Sequence, residues 1–242
     1  MDLDEYLNTR KCEKDEQRNF VRMTGDKGKY YIPSDEMNKF FSLFAAYNHT
    51  EDKHTGLVLV WPKCHKLPIL VDIDLRMKED IDIDNAVFIK FAEKIAAVLF
   101  KYAKSTFKVC IVRKMKNYLK SSNVFAGGCH IYFNGVESTL AESRAFREQI
   151  IPIAAEHFSY LDLHNDAEDI VDQALTERRN GFVLVGDYKG RCKGGKYIPI
   201  LCALYDDGLK DEYHFDEMTY LEFLPKIMEA LYSFVWKEKD IE

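Results

Sequence analysis

Pro68-Ile69-Leu70-Val71-Asp72-Ile73-Asp74-Leu75 is an apolar run broken by two acids two residues apart. In a β-strand, residues i and i+2 point to the same face. Val71, Ile73 and Leu75 then enter a core, while Asp72 and Asp74 stand together on the opposite face. A carboxylate pair repels itself and raises one pKa unless a cation neutralises it; hard divalent ions with oxygen ligands, Mg²⁺ or Mn²⁺, are the natural neutraliser. The competing reading is a solvated strand face on which Arg76 is a neighbouring ion partner. Asp82 and Asp84 share the i, i+2 spacing but read as a turn and a helix cap.

Working outward, Gly56-Leu57-Val58-Leu59-Val60-Trp61 is a second strand-like run, expected to form a hairpin with the first across the intervening Pro/Lys/Cys/His turn. Downstream, Asp84 caps a helical pattern over 86–102 in which Val87, Phe91, Ile95, Val98 and Leu99 mark one face. Residues 107–113 read as a strand, 114–123 as a basic connector, 129–133 as a strand and 139–158 as a second long helix. Residues 182–185 and 197–205 are strand candidates flanking a Gly/Lys-rich turn, and 216–236 form an amphipathic closing helix. Upstream, Ser34 N-caps a helix that runs to about residue 47 with acids in its first turn. Residues 1–33 are polar and read as an arm or short helix packed on the body.

Strands and helices intermixed with hairpin-like neighbours favour an α+β fold with a mixed or antiparallel sheet flanked by helices, over a doubly wound one. Residues 1–50 are expected to be an N-terminal arm and helix, and 51–242 the main domain, within one domain overall.

At 242 residues the chain can bury a sizeable core, and 47% hydrophobic with 31% charged residues sets it apart from disordered and fibrous proteins. A formal net charge of −6 argues against a protein that coats nucleic acid nonspecifically, since such affinity comes from Lys and Arg neutralising phosphates. Local basic patches are the better guide. The six cysteines lie far apart without a CxxC pair, so reduced thiols in a cytoplasmic compartment are expected, with Cys110 and Cys202 acting as small core hydrophobes. Every apolar run is interrupted by charge well short of the ~20 residues that span a bilayer, so no membrane is expected among the partners.

Gly127-Gly128-Cys129-His130-Ile131-Tyr132-Phe133 puts one histidine in an apolar strand behind two glycines, where backbone or ligand can approach closely. A buried imidazole needs a partner. It is either a satisfied core histidine or a donor to a phosphate near the acid pair.

With these pieces in place, the sequence resembles the archaeo-eukaryotic primase superfamily. The likeness is carried by Val71-Asp72-Ile73-Asp74, then Gly128-Cys129-His130, then Val171-Asp172, followed by a hydrophobic strand, Gly186 and Lys189. It is closest to the primase domain fused to superfamily-3 helicases in large cytoplasmic DNA viruses. The resemblance implies a nucleotidyltransferase with a two-metal site (Mg²⁺ or Mn²⁺) that makes primers from nucleoside triphosphates on single-stranded DNA in the host cytoplasm or viral factory. Asp72, Asp74 and Asp172 would hold the metals, with Asp169 the competitor for the third place on a shared helical face. His130, Gly128, Lys189 and Arg76 would lie along the nucleotide phosphates. Gly128 lacks the hydroxyl that a serine would offer there.

Two basic stretches suit a template strand. Arg113, Lys114, Lys116 and Lys120 interleave with Tyr118, and Arg191 and Lys193 lie in the Gly-rich turn beside Lys189. Each can also be a solubilising loop. No Gly-x4-Gly-Lys-Ser/Thr occurs, so a helicase would have to lie C-terminal in a longer polypeptide, of which this chain would be a fragment. The other readings are a metal-dependent nuclease and a non-catalytic nucleic-acid-binding module on the same fold.

Overall fold

The computed structural model describes residues 1–14, 18–23, 25–49, 54–178, 181–188, 195–213, 224–225, 227–229 and 231–232. In chain order the elements are α1 (Leu3–Asn8), β1 (Phe20–Arg22), β2 (Gly28–Tyr30), α2 (Met37–Asn48), β3 (Leu57–Leu59), β4 (Leu67–Met77), α3 (Asn85–Ala103), β5 (Phe107–Lys114), β6 (Tyr118–Ser121) and β7 (Val124–Ser138). They continue with α4 (Leu140–His157), α5 (Ala167–Ile170), α6 (Gln173–Thr176), β8 (Phe182–Val183), β9 (Tyr197–Tyr205) and β10 (Leu209–Tyr213). Helices and antiparallel sheets make this the α+β fold expected from the sequence.

The chain divides into two compact units: Met1–Cys64 with Asn180–Tyr197 and Asp216–Glu242, and His65–Arg179 with Ile198–Phe215. The first unit therefore runs past residue 50 and takes back later segments. It is built on a sheet of order β2-β1-β3-β8, so the polar N-terminal stretch contributes strands as well as a helix. Phe40 on α2 centres its aromatic core, with the Phe20 ring at 4.9 Å and the Phe41 ring at 5.5 Å. Ser34 opens a 3-10 turn ahead of α2 and does not cap the helix, a departure from expectation. Asp187, fully buried, accepts from the backbone N–H groups of Thr55 and Tyr188 and from the Thr55 hydroxyl, and burial raises its pKa.

The expected hairpin between 56–61 and 68–75 does not form. Both edges of β3 are taken, by β1 and β8, and β4 pairs with β7 in the second sheet. That sheet, in the second unit, has the order β10-β9-β5-β7-β4, with β6 added to β7. Its core face carries Ile69, Val71, Ile73, Leu75 and Met77 from β4 against α3 and α4. Helices α3 and α4 start where the sequence places them. The Asp84 carboxylate accepts from the Ala86 N–H, and Thr139 and Glu142 form a reciprocal capping box, satisfying donors that a helix start leaves orphaned. On α3, Phe91, Ile95 and Leu99 are buried as expected, with Phe88, Ala92 and Ala96 beside them, while Val87 and Val98 pack on the flank. The expected closing helix over 216–236 falls mostly outside the described residues; Leu224, Ile227, Met228, Leu231 and Tyr232 are helical and buried.

Candidate active site

Burial along β4 alternates as the pattern requires, with Val71, Ile73, Leu75 and Met77 buried and Asp72, Asp74 and Arg76 half-buried on the other face. The two acid side chains are only 14% and 15% exposed, so their charges stand in a partly desolvated recess where mutual repulsion is felt more strongly than in water. Antiparallel pairing with β7 sets Asp72 opposite His130, Asp74 opposite Gly128 and Arg76 opposite Ala126. His130 is 4% exposed and its Nε2 lies 3.5 Å from Asp72 Oδ1, so the register alone makes histidine and acid neighbours.

Gly128 is required at its place. Its φ is +132°, and a Cβ there would lie 1.7 Å from the Ile73 carbonyl oxygen. What approaches Gly128 closely is the β4 backbone, so this glycine lets the acid strand and the histidine strand close up. Of the two close approaches expected at these glycines, backbone or ligand, the one present at Gly128 is backbone.

The far edge of β4 is sealed by the segment 162–172. The Lys78 N–H donates to the Asp162 carbonyl, His164 N–H to the Arg76 carbonyl and Asp172 N–H to the Asp72 carbonyl, with Ile73 bridging to Val171. Asn165 completes the edge, donating its side-chain N–H to the Asp74 carbonyl and accepting from the Arg76 N–H. Val171 sits in the core with Ile73, so Asp172, one residue on, falls beside Asp72. From α4, Arg147 donates to the carbonyls of Val171 and Glu168 and holds this edge in place. Neither Asn165 nor Arg147 carries a sequence signal, because both act through backbone groups that only the fold brings to them.

Asp169 and Asp172 do not share a helix face as expected. Helix α5 stops at Ile170 and Val171 is extended (φ −95°, ψ 90°), so the two acids diverge. Asp169 is 56% exposed and pairs with Arg76 Nη1 at 3.3 Å. Asp172 N-caps α6, its Oδ1 accepting from Ala174 N–H at 2.8 Å. Arg76 also donates from Nε to Asp74 Oδ2 at 3.2 Å, and Lys120 of β6 lies 3.7 Å from the same oxygen.

Among the basic residues, Lys114 follows Val112, which pairs with His130, and by strand alternation faces the acids; its ammonium lies 5.1 Å from the Tyr118 ring centre. Lys116 is exposed in the turn before β6. Arg113 is a correction. It points to the core face, 9% exposed, and donates to the Ile83 carbonyl and the Asn85 and Asp82 side chains with its guanidinium over Phe88. Its hydrogen-bonding capacity goes to anchoring the chain into α3, which removes it from any groove wall. Lys189, Arg191 and Lys193 lie outside the described residues.

Among the described residues, no group of three or more His, Cys, Asp or Glu side chains converges closely enough to hold a metal ion as it stands. The donor chemistry nonetheless fits a hard divalent cation: two carboxylates on one strand face and a third on the adjoining edge, all oxygen ligands. Asp172 commits Oδ1 to its cap and, among the described residues, no hydrogen bond occupies Oδ2.

Residues 19–199 match the family model described as the C962R protein N-terminal AEP domain, AEP standing for archaeo-eukaryotic primase. The chain belongs to this AEP family. The matched span takes in Asp72, Asp74, His130 and Asp172, and it makes the protein a primase-type domain. No individually curated protein matches the chain. Among the described residues of this AEP domain, no helix is long and apolar enough to cross a membrane.

Proposed function

We propose that this AEP domain is the catalytic domain of a DNA primase, joining nucleoside triphosphates into primers on single-stranded DNA with Mg²⁺ or Mn²⁺. We place it in viral DNA replication, in a host cytoplasm or viral factory, with a superfamily-3 helicase C-terminal in the same polypeptide. The observation that carries this reading is the carboxylate pair Asp72/Asp74 on one sheet face, with His130 opposite and Asp172 on the adjoining edge.

Asp72, Asp74 and Asp172 would hold the metal ions, which when bound neutralise the acids, polarise phosphoryl oxygens and acidify the attacking hydroxyl. The chain's own groups prepare the rest. His130, fixed between β4 and β5, presents Nε2 beside Asp72, where it can donate to a triphosphate oxygen. Arg76 and Lys120 bracket Asp74 with positive charge, and Lys114 adds a third cation on the same face. Such preplaced charges stabilise phosphates without reorganising when they arrive. The turn before β6 and the start of that strand, with Lys116 exposed and Tyr118 half-buried, offer charge and a stacking surface to a template strand.

The test is incorporation of labelled nucleotides on single-stranded DNA. Wild-type protein should extend primers with Mn²⁺ or Mg²⁺ and stop when a chelator removes the metal. Metal-dependent cleavage of the DNA without incorporation would replace this reading with a nuclease. Absence of both, with no nucleotide binding, would leave a nucleic-acid-binding module.

A second measurement addresses the third acid. Asp172→Asn keeps a good N-cap for α6 while removing the charge. It is expected to weaken Mn²⁺ binding by roughly tenfold or more and to lower incorporation by about 100-fold, in line with losing one charged group at a phosphoryl-transfer site. Asp169→Asn should stay within about threefold, since an exposed ion pair is worth ~1 kcal/mol or less. Equal losses from both variants would make Asp169 a ligand as well.

A further inference from the structure

The sheet face that carries the acids also holds two cysteines brought together from distant parts of the chain. Cys110 on β5 pairs across to Tyr132 on β7, two residues beyond His130, and Cys202 lies on the neighbouring strand β9. The two Sγ atoms are 2.7 Å apart across a sequence separation of 92. Both are free thiols, Cys110 buried and Cys202 half-buried. With the two Sγ atoms 2.7 Å apart on neighbouring strands, against the ~2.05 Å of a disulfide, the pair lies within bonding reach.

We propose that Cys110 and Cys202 form an oxidisable pair, a modification site at which a peroxide converts the thiols to a reversible disulfide linking β5 to β9. The division of labour follows from their surroundings. Cys110 is held above the ordinary thiol range, first by its hydrogen bond to Cys202 and then by burial, whereas Cys202 is lowered by accepting that bond. Cys202 also has the access to solvent that an oxidant needs. Its thiolate attacks one peroxide oxygen, the O–O bond breaks, and hydroxide leaves to give a sulfenic acid. The Cys110 sulfur then attacks the Cys202 sulfur. The S–O bond breaks, the departing hydroxide takes the Cys110 proton, and the sum is two thiols plus hydrogen peroxide giving a disulfide and two waters. A dithiol reductant reverses the reaction.

Cys12 and Cys64, both half-buried, supply internal comparison, since sulfur chemistry set by exposure alone would oxidise them as readily. The test titrates folded wild-type protein with hydrogen peroxide, blocks remaining thiols, and maps peptides by mass spectrometry. A Cys110–Cys202 cross-linked peptide, lighter by about 2 Da than the two thiol peptides together, should form roughly tenfold faster than any modification at Cys12 or Cys64 and vanish on reduction. Oxidised protein should melt roughly 5–10 °C higher than reduced protein, because the cross-link closes a long loop in the unfolded chain. Cys202→Ser should leave Cys110 reduced and remove the shift. The proposal is overturned if Cys110 and Cys202 stay reduced while Cys12 or Cys64 reacts, if another pair cross-links first, or if Cys202 proceeds to sulfinic acid with Cys110 untouched. The wild-type peptide map decides this even if the variant fails to fold.

Discussion

The Asp72→Ala/Asp74→Ala double variant is expected to lose at least about 1,000-fold in nucleotide incorporation while folding as the wild type does. A divalent ion contributes several kcal/mol of charge stabilisation to phosphoryl transfer, and about 1.4 kcal/mol corresponds to a factor of ten. Removing both carboxylates from the strand face would remove two of the three proposed ligands, which Asp172 alone would not replace. Folding is spared because neither side chain belongs to the apolar core; Arg76, Lys120 and His130 are among their partners. The Arg76 and Lys120 partners of Asp74 are part-exposed and contribute ~1 kcal/mol or less each, while Asp72 and His130 are mostly buried, so the loss there is larger and is offset in part by the relief of acid–acid repulsion. The measurements are incorporation with Mn²⁺ or Mg²⁺ and thermal unfolding of both proteins. Incorporation within tenfold of wild type from the well-folded double variant would sink the catalytic assignment.

Gly128→Ala is expected to act in the opposite way, on the fold first and on activity as a consequence. A methyl group at this position would overlap the Ile73 carbonyl oxygen at 1.7 Å, and that obstacle is backbone in the middle of a paired strand, unable to swing aside. The φ of +132° adds strain that a side chain rarely tolerates. Strain and overpacking together should cost about 3 kcal/mol or more, a large share of the ~5–15 kcal/mol that holds a domain together. Denaturant unfolding should show a markedly lower midpoint, and metal binding should weaken because β4 and β7 can no longer hold Asp72 against His130. A Gly128→Ala protein with wild-type stability would mean that the two strands are not in this register.

The two predictions separate what the two halves of the site do. On the proposed function the acids would be chemistry set on a scaffold that does not need them, whereas Gly128 would be scaffold without which that chemistry is not assembled. Asn165 and Arg147 belong with Gly128: they satisfy backbone groups of β4 and of the segment that delivers Asp172, and do no chemistry themselves.

Local sequence determined a good deal by itself. The alternation around Asp72 and Asp74 specified which residues face the core, because side-chain direction in a strand has a period of two. Asp84 and Thr139 specified the starts of α3 and α4, because capping is satisfied within a few residues. The motif order from Val71 to Asp172 was enough to indicate the primase family. What only the tertiary structure decided were the relations between distant segments. It sent the strand at 57–59 to β1 and β8 instead of β4, since edge pairing depends on which other strands compete. It turned Arg113 inward to the Ile83 carbonyl and the Asn85 and Asp82 side chains, and it broke the helix between Asp169 and Asp172, so that Asp169 is largely exposed while the Asp172 backbone pairs with Asp72 and its carboxylate caps α6. It brought Cys110 to Cys202 across neighbouring strands. Each of these outcomes depends on backbone groups and strand edges that have no partner until the chain has folded, and no local pattern encodes which partner they will find.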